Sequence, residues 1–111
     1  MADGSSEVSN LSIRSDREGA TLTLSLAGEL DGVTGARFRE AIEEAHGSDA
    51  AVIVLDLTRV AFVDSSGLVA LLMAARRSER EGTQLRVRPG AGEVRQLLEM
   101  TSIDDKLNLI D

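Results

Sequence analysis

Val52-Ile53-Val54-Leu55-Asp56-Leu57 is followed, after a short link from Thr58 to Asp64, by Ser65-Ser66-Gly67-Leu68. The first six residues are almost all apolar and mostly branched, the pattern of a central parallel strand covered on both faces. From Leu68 onward the period changes. Leu68, Leu71, Leu72 and Ala75 form one helical stripe, which closes in the charged run Arg76 to Glu81 and stops at Gly82. A buried strand, a polar turn and an amphipathic helix in succession are the makings of a β-α-β unit.

Working toward the C-terminus, Leu85 and Val87 alternate with Arg86 and Arg88 as in a strand, and Pro89-Gly90 breaks it. Val94, Leu97, Leu98 and Thr101 share one face of a third helix, and Leu107, Leu109 and Ile110 suit a last short strand. Toward the N-terminus, Phe38, Ala41, Ile42 and Ala45 mark a helix with Thr34 as its N-cap and Gly47 as its end. Before it lies the loop AGELDGVT. Leu22, Leu24 and Leu26 alternate with Thr21, Thr23 and Ser25 in a strand with one buried side. Asp16 to Gly19 reads as a turn, and Val8, Leu11 and Ile13 as a weak first strand pairing antiparallel with the second. The expected architecture is one α/β domain over 8–111 behind a flexible tail over 1–7, in the order β-β-α-β-α-β-α-β. Its sheet should be mixed, mostly parallel, of four or five strands with about three helices.

Composition narrows the function. The chain has 111 residues, the size of one domain. Nineteen acidic against twelve basic side chains give a net charge of -7, which repels phosphate backbones and anionic lipid heads, so neither nucleic acid nor membrane is an expected partner. There is no cysteine, which removes disulfides, thiol catalysis and thiolate metal sites. No apolar run approaches the roughly 18 residues of a spanning helix, and a soluble cytoplasmic protein is expected.

Right-handed β-α-β crossovers bring Gly28-Glu29-Leu30-Asp31 and Asp64-Ser65-Ser66-Gly67 to one sheet edge, the edge beyond the strand carboxyl ends where open α/β sheets bind ligands and partners. Ser65 or Asp64 takes the N-cap of the following helix, and capping alone would account for most serines at such a place. Gly67 argues for more, because glycine weakens a first turn by roughly 0.5–1 kcal/mol relative to alanine while letting another molecule approach the backbone. A phosphate on Ser65 would bring about -1.5 to -2 charges, tolerable at a helix N-terminus but unfavourable for a partner docked beside Asp31 and Asp64. Enzymatic readings are weaker. His46, the single histidine, falls at the far end of the first helix, remote from Ser65 and suited to its dipole; the G-x-S-x-G elbow and phosphate-binding glycine motifs are missing. Asp31, Asp56 and Asp64 could be imagined around Mg²⁺, but Asp56 is as readily a strand-end residue. Neither a catalytic residue, a metal nor a cofactor is assigned. Glu43, Glu44 and the run Arg76 to Glu81 read as solvated helix faces.

Three segments resemble the STAS domain of anti-sigma factor antagonists: LAGELDGVTGARFREAI (26–42), VIVLDLTRVAFVDSSGLVALL (52–72) and VRQLLEMTSIDDKL (94–107). The resemblance implies a partner switch. The unphosphorylated protein binds an anti-sigma factor serine kinase and frees a sigma factor; phosphorylation of Ser65 blocks binding, and a metal-dependent serine phosphatase reverses it. It also implies that Asp31 beside the site helps the kinase engage, and that Asp64, Ser66, Gly67 and Leu68 belong to the contact surface. A STAS scaffold or regulatory subunit, in a stressosome or a lipid-transport ATPase, is the alternative. A monomer is expected when free. Departures from the family pattern are Gly35 in place of Ala, Ser102 in place of Gly, and the stop at Asp111, where many members continue into a further short helix.

Overall fold

The computed structural model describes residues 10–110; the tail expected over 1–7 and Val8 lie outside them. Strand β1 (Leu11–Glu18) pairs antiparallel with β2 (Thr21–Leu30) through a two-residue turn at Gly19-Ala20, so Asp16 to Glu18 extend the strand where the sequence suggested a turn. Helix α1 (Gly35–Gly47), β3 (Val52–Val63), α2 (Ser65–Glu81), β4 (Gln84–Arg88), α3 (Glu93–Met100), a 3-10 turn (Ile103–Asp105) and β5 (Asn108–Leu109) follow. The sheet order is β1-β2-β3-β4-β5, parallel from β2 onward. The expected α/β architecture, with its element order, is the observed one.

Because successive strands step across the sheet in one direction, right-handed crossovers place α1, α2 and α3 on the same face. One core cluster accordingly joins Leu22, Leu24, Leu26, Ile53, Leu55, Leu57, Leu85 and Val87 to Phe38, Ile42, Leu71, Val94 and Leu98. Val54 is buried yet stands outside that cluster, on the opposite face, in register between Thr23 and Arg86. The apolar run of β3 therefore marks the expected central parallel strand, with helices over one face and Val54 buried on the other.

Both central strands are longer than their apolar runs. β2 continues through Gly28 to Leu30, and β3 continues through the supposed link to Val63. Two bulges explain the difference: between Ser25 and Ala27, and again between Gly28 and Glu29, β3 advances one residue more than β2. Each bulge resets the period of two, so Leu57, Val60 and Val63 are buried three residues apart. Gly28 serves this geometry directly. Its φ is +114°, and a Cβ there would stand 1.9 Å from the Asn10 carbonyl oxygen, so no side chain fits where β1 crosses β2.

Helix α2 buries Gly67, Ala70, Leu71, Ala74 and Ser78, while Leu68, Leu72 and Ala75 are only half-buried. The small residues Gly67, Ala70, Ala74 and Ser78, spaced three or four apart, let its backbone sit close to α1 and the sheet, which rotates the face away from the all-leucine stripe. Two polar ties join α1 to α2: Glu43 to Arg77 at 2.5 Å, and His46 Nε2 to Ser78 Oγ at 3.0 Å, the latter ring also meeting the Ile42 carbonyl through Nδ1. Arg77 holds the Glu43 carboxyl below its usual range, by hydrogen bond first and charge second. His46 is thus a seam residue rather than only a partner of the helix dipole. Ser102 adopts φ +60°, a left-handed conformation that favours glycine, which accounts for the glycine of the family pattern at this place.

Candidate functional site

β2 and β3 end side by side, with Leu30 opposite Val63, so the two turns that follow are in contact. The Asp64 amide donates to the Leu30 carbonyl at 3.2 Å. Gly67 is buried against the same carbonyl: a Cβ would stand 2.3 Å from the Leu30 oxygen and 2.9 Å from Val63 Cγ1. The close approach that Gly67 permits is therefore made by the domain's own chain, not by a visitor. On the other side of the contact, the Cβ position of Gly32 lies 3.6 Å from Ser66 Oγ.

Asp64 is the N-cap of α2. Its backbone is extended (φ -97°, ψ -173°), and its Oδ1 accepts from the Gly67 amide at 2.9 Å. Ser65 and Ser66 fill the first two helical positions, and both are exposed. Among the described residues neither hydroxyl makes a hydrogen bond. Of the two capping candidates in the sequence, Asp64 takes the role and Ser65 is released from it.

The β2–α1 turn is closed differently. Asp31 Oδ1 accepts from the amides of Val33 (2.9 Å) and Thr34 (3.0 Å), and its carbonyl accepts from the Gly35 amide at 2.9 Å. Thr34 stands at the N-cap position as expected but makes no side-chain cap. Its buried hydroxyl turns back instead, accepting from the Asp31 amide at 3.0 Å and lying 2.9 Å from the Glu29 carbonyl, to which it donates. The capping work is done by Asp31, three residues earlier.

The edge also carries apolar side chains that the sequence reading left out. Val33 (71% exposed) projects from the β2–α1 turn, and Val69 (56%) and Met73 (50%) form an outward row on α2 below the two serines. Val69 and Met73 fall off the stripe of the helix at i and i+4, and that misplacement was the available signal. Leu68 is half-buried beside them.

Other chemistries find no support in the arrangement. Ser78, which touches His46, lies 13 residues after Ser65 on α2, about 20 Å away at the helical rise. Asp56 Oδ1 is taken by the Thr58 amide (3.0 Å) and hydroxyl (2.7 Å), with Arg88 3.6 Å from Oδ2. Among the described residues no group of three or more His, Cys, Asp or Glu could hold a metal ion, and no helix is long and apolar enough to cross a membrane.

Comparison with known proteins gives the same edge a family setting. An anti-sigma-B factor antagonist of Listeria monocytogenes is 27% identical over 101 residues, 90% of this chain and 89% of the relative. The solved structure of an anti-sigma factor antagonist from Mycobacterium paratuberculosis superposes with a TM-score of 0.77 at 23% identity, covering 89% of this chain and 84% of that one. The Bacillus cell fate determinant SpoIIAA, in its phosphorylated form, superposes at 0.67 with 20% identity over 90% of this chain and 92% of its own; in its unphosphorylated form the score is 0.68, with 88% of its own length covered. A family model described as "Mlab, STAS domain" matches residues 13–111. With that match spanning both turns and every element from β1 to β5, the chain belongs to the STAS domain family.

Proposed function

We propose that this STAS domain is an anti-sigma factor antagonist switched by phosphorylation of Ser65. The unmodified form binds an anti-sigma factor serine kinase and releases a sigma factor; the kinase transfers a phosphoryl group from ATP to Ser65 Oγ and is then no longer bound; a metal-dependent serine phosphatase resets the switch. The domain itself is a regulatory substrate, not an enzyme.

The observation that carries this reading is the division of labour between Asp64 and Ser65. Because Asp64 caps α2, the Ser65 hydroxyl is exposed and carries none of the fold's own hydrogen bonds among the described residues. Exposed Val33, Val69 and Met73 supply the apolar centre a docked partner needs, with Asp31, Asp64, Ser66 and Leu68 around it and Gly67 fixing the height of α2 beneath. A phosphate on Ser65 adds about -1.5 to -2 charges beside two carboxylates, enough to desolvate badly under a partner that fits the neutral surface. The relatives bearing the antagonist name support the reading.

The test is intact-mass and fragment analysis after incubating the protein, and Ser65→Ala beside it, with ATP and serine-kinase anti-sigma factors of its own organism. One phosphate on the wild type and none on the variant is the expected result. No phosphate with any such kinase, together with stable recovery in a membrane ATPase or a large scaffold, would replace it with the scaffold reading.

A further inference from the structure

The seam between α1 and α2 keeps one register from its start to Glu43 and slips by two residues at His46. Gly32 meets Ser66 at its start, Glu43 meets Arg77 near its end, and His46 meets Ser78 beyond that. The helices therefore run parallel, turn beside turn. One turn before Glu43 stands Arg39, and one turn before Arg77 stands Met73, so Arg39 belongs to the seam between the two contacts. Its side chain does not continue outward. Nη1 lies 3.6 Å from the Cβ position of Gly35, one turn nearer the N-terminus, so the guanidinium is folded back toward the Gly32–Ser66 contact.

Arg39 differs from the arginines that tie the helical layer together; among the described residues of that layer only Arg76 and Arg80, at the far end of α2, share its lack of a partner. Arg77 is held by Glu43 and Glu81, Arg95 by the Gly90 carbonyl and Glu99, and Arg37 by the Leu11 carbonyl. Among the described residues the Arg39 guanidinium has no hydrogen bond or ion pair. Among the described residues the carboxylates of the edge make no demand that Arg39 meets: their Oδ1 atoms serve the Val33, Thr34 and Gly67 amides, and neither acid pairs with Arg39. A phosphate on the first turn of α2 would create that demand, since an exposed dianion next to Asp31 and Asp64 otherwise lacks a counter-charge.

The geometry points to Arg39 as the internal counter-ion of a phosphate on Ser65, swinging from its rest over Gly35 to pair with the phosphate oxygens. This rests on Ser65 being the modified residue. Pairing through the planar guanidinium holds the phosphate against the domain's own surface and offsets the repulsion from Asp31 and Asp64, so the modified chain keeps its fold while its docking surface changes.

The test needs no kinase. Phosphoserine is placed at position 65 during translation in the full chain, and its ³¹P resonance is titrated with pH, with Arg39 intact and in Arg39→Gln and Arg39→Lys. With Arg39 present the second ionisation of the phosphate should fall about half a unit below that in Arg39→Gln at low salt, the difference shrinking as salt is added. Arg39→Lys should keep part of the shift, as a point charge without the fork. Identical titrations in all three chains would overturn the proposal and leave the Ser65 switch standing. A failure of Ser65 to accept phosphate from a kinase leaves these titrations readable, so the two failures are separable.

Discussion

The two turns at the candidate site solve the same problem, starting a helix at the end of a parallel strand, in opposite ways. In the β2–α1 turn the polar groups face inward: Asp31 closes two amides, the Thr34 hydroxyl is buried among Glu29 and Asp31, and what projects is Val33. In the β3–α2 turn a single carboxylate, Asp64, closes the helix, and two hydroxyls at Ser65 and Ser66 are left to solvent. The glycines repeat the contrast. Gly67 is wedged on the Leu30 carbonyl, whereas the Cβ position of Gly35 has only the mobile end of Arg39 nearby, at an ordinary contact distance. One turn is a structural clasp; the other holds its structure with Asp64 and Gly67 and leaves its serines available for chemistry.

That contrast breaks first at Gly67. Gly67→Ala must push a methyl into the Leu30 carbonyl and should lower stability by about 2–3 kcal/mol in urea unfolding, weakening partner binding through displacement of α2. A loss under about 0.5 kcal/mol would mean that the two turns are not locked together. The next effect separates acid from hydroxyl. Asp31→Ala leaves two amides without their acceptor and should lose about 1–2 kcal/mol, while Ser65→Ala and Ser66→Ala stay within about 0.5 kcal/mol of wild type by the same measurement.

Asp56 provides a third closure of the Asp31 kind, at a β-bulge. Burial pushes its carboxyl up, but the Thr58 amide, the Thr58 hydroxyl and Arg88 together leave it below the usual 3.8. A carboxyl depressed in the folded state contributes stability above the unfolded-state value, and loses it as pH falls through the lower folded value. Wild type should therefore lose more stability than Asp56→Asn when thermal melts are carried from neutral pH to below pH ~4, and parallel curves would remove Asp56 from the bulge's support. The smallest effect is at Gly35. Gly35→Ala should raise stability by up to about 0.5 kcal/mol through helix propensity alone, opposite in sign to Gly67→Ala.

The sequence carried the element order well because the helix stripes and the alternation of β2 and β4 are strictly local. It misplaced the ends of β2 and β3 because bulges replace the period of two with burial at Leu57, Val60 and Val63. It also expected Leu72 in the core of α2, where approach to α1 instead selects Ala70, Ala74 and Ser78. At the candidate site, the run Asp64-Ser65-Ser66-Gly67 pointed to one of the two turns that the fold brings together. Which residue caps, and whom Gly67 admits, depend on where the Leu30 carbonyl lies, a distance that sequence spacing does not encode. Val69 and Met73 stand out once the buried face of α2 is known, and Val33 once the β2–α1 turn is seen to face its polar groups inward.

The most direct measurement is a paired one on the chain carrying phosphoserine at position 65: its melting temperature, and its affinity for an anti-sigma kinase that binds the unmodified chain. If Asp64 rather than Ser65 holds the helix, the melting temperature moves by less than about 2 °C while affinity falls at least tenfold, about 1.4 kcal/mol. A fall in melting temperature large enough to account for the lost affinity would contradict this, and would make Ser65 a part of the fold rather than a switch built upon it.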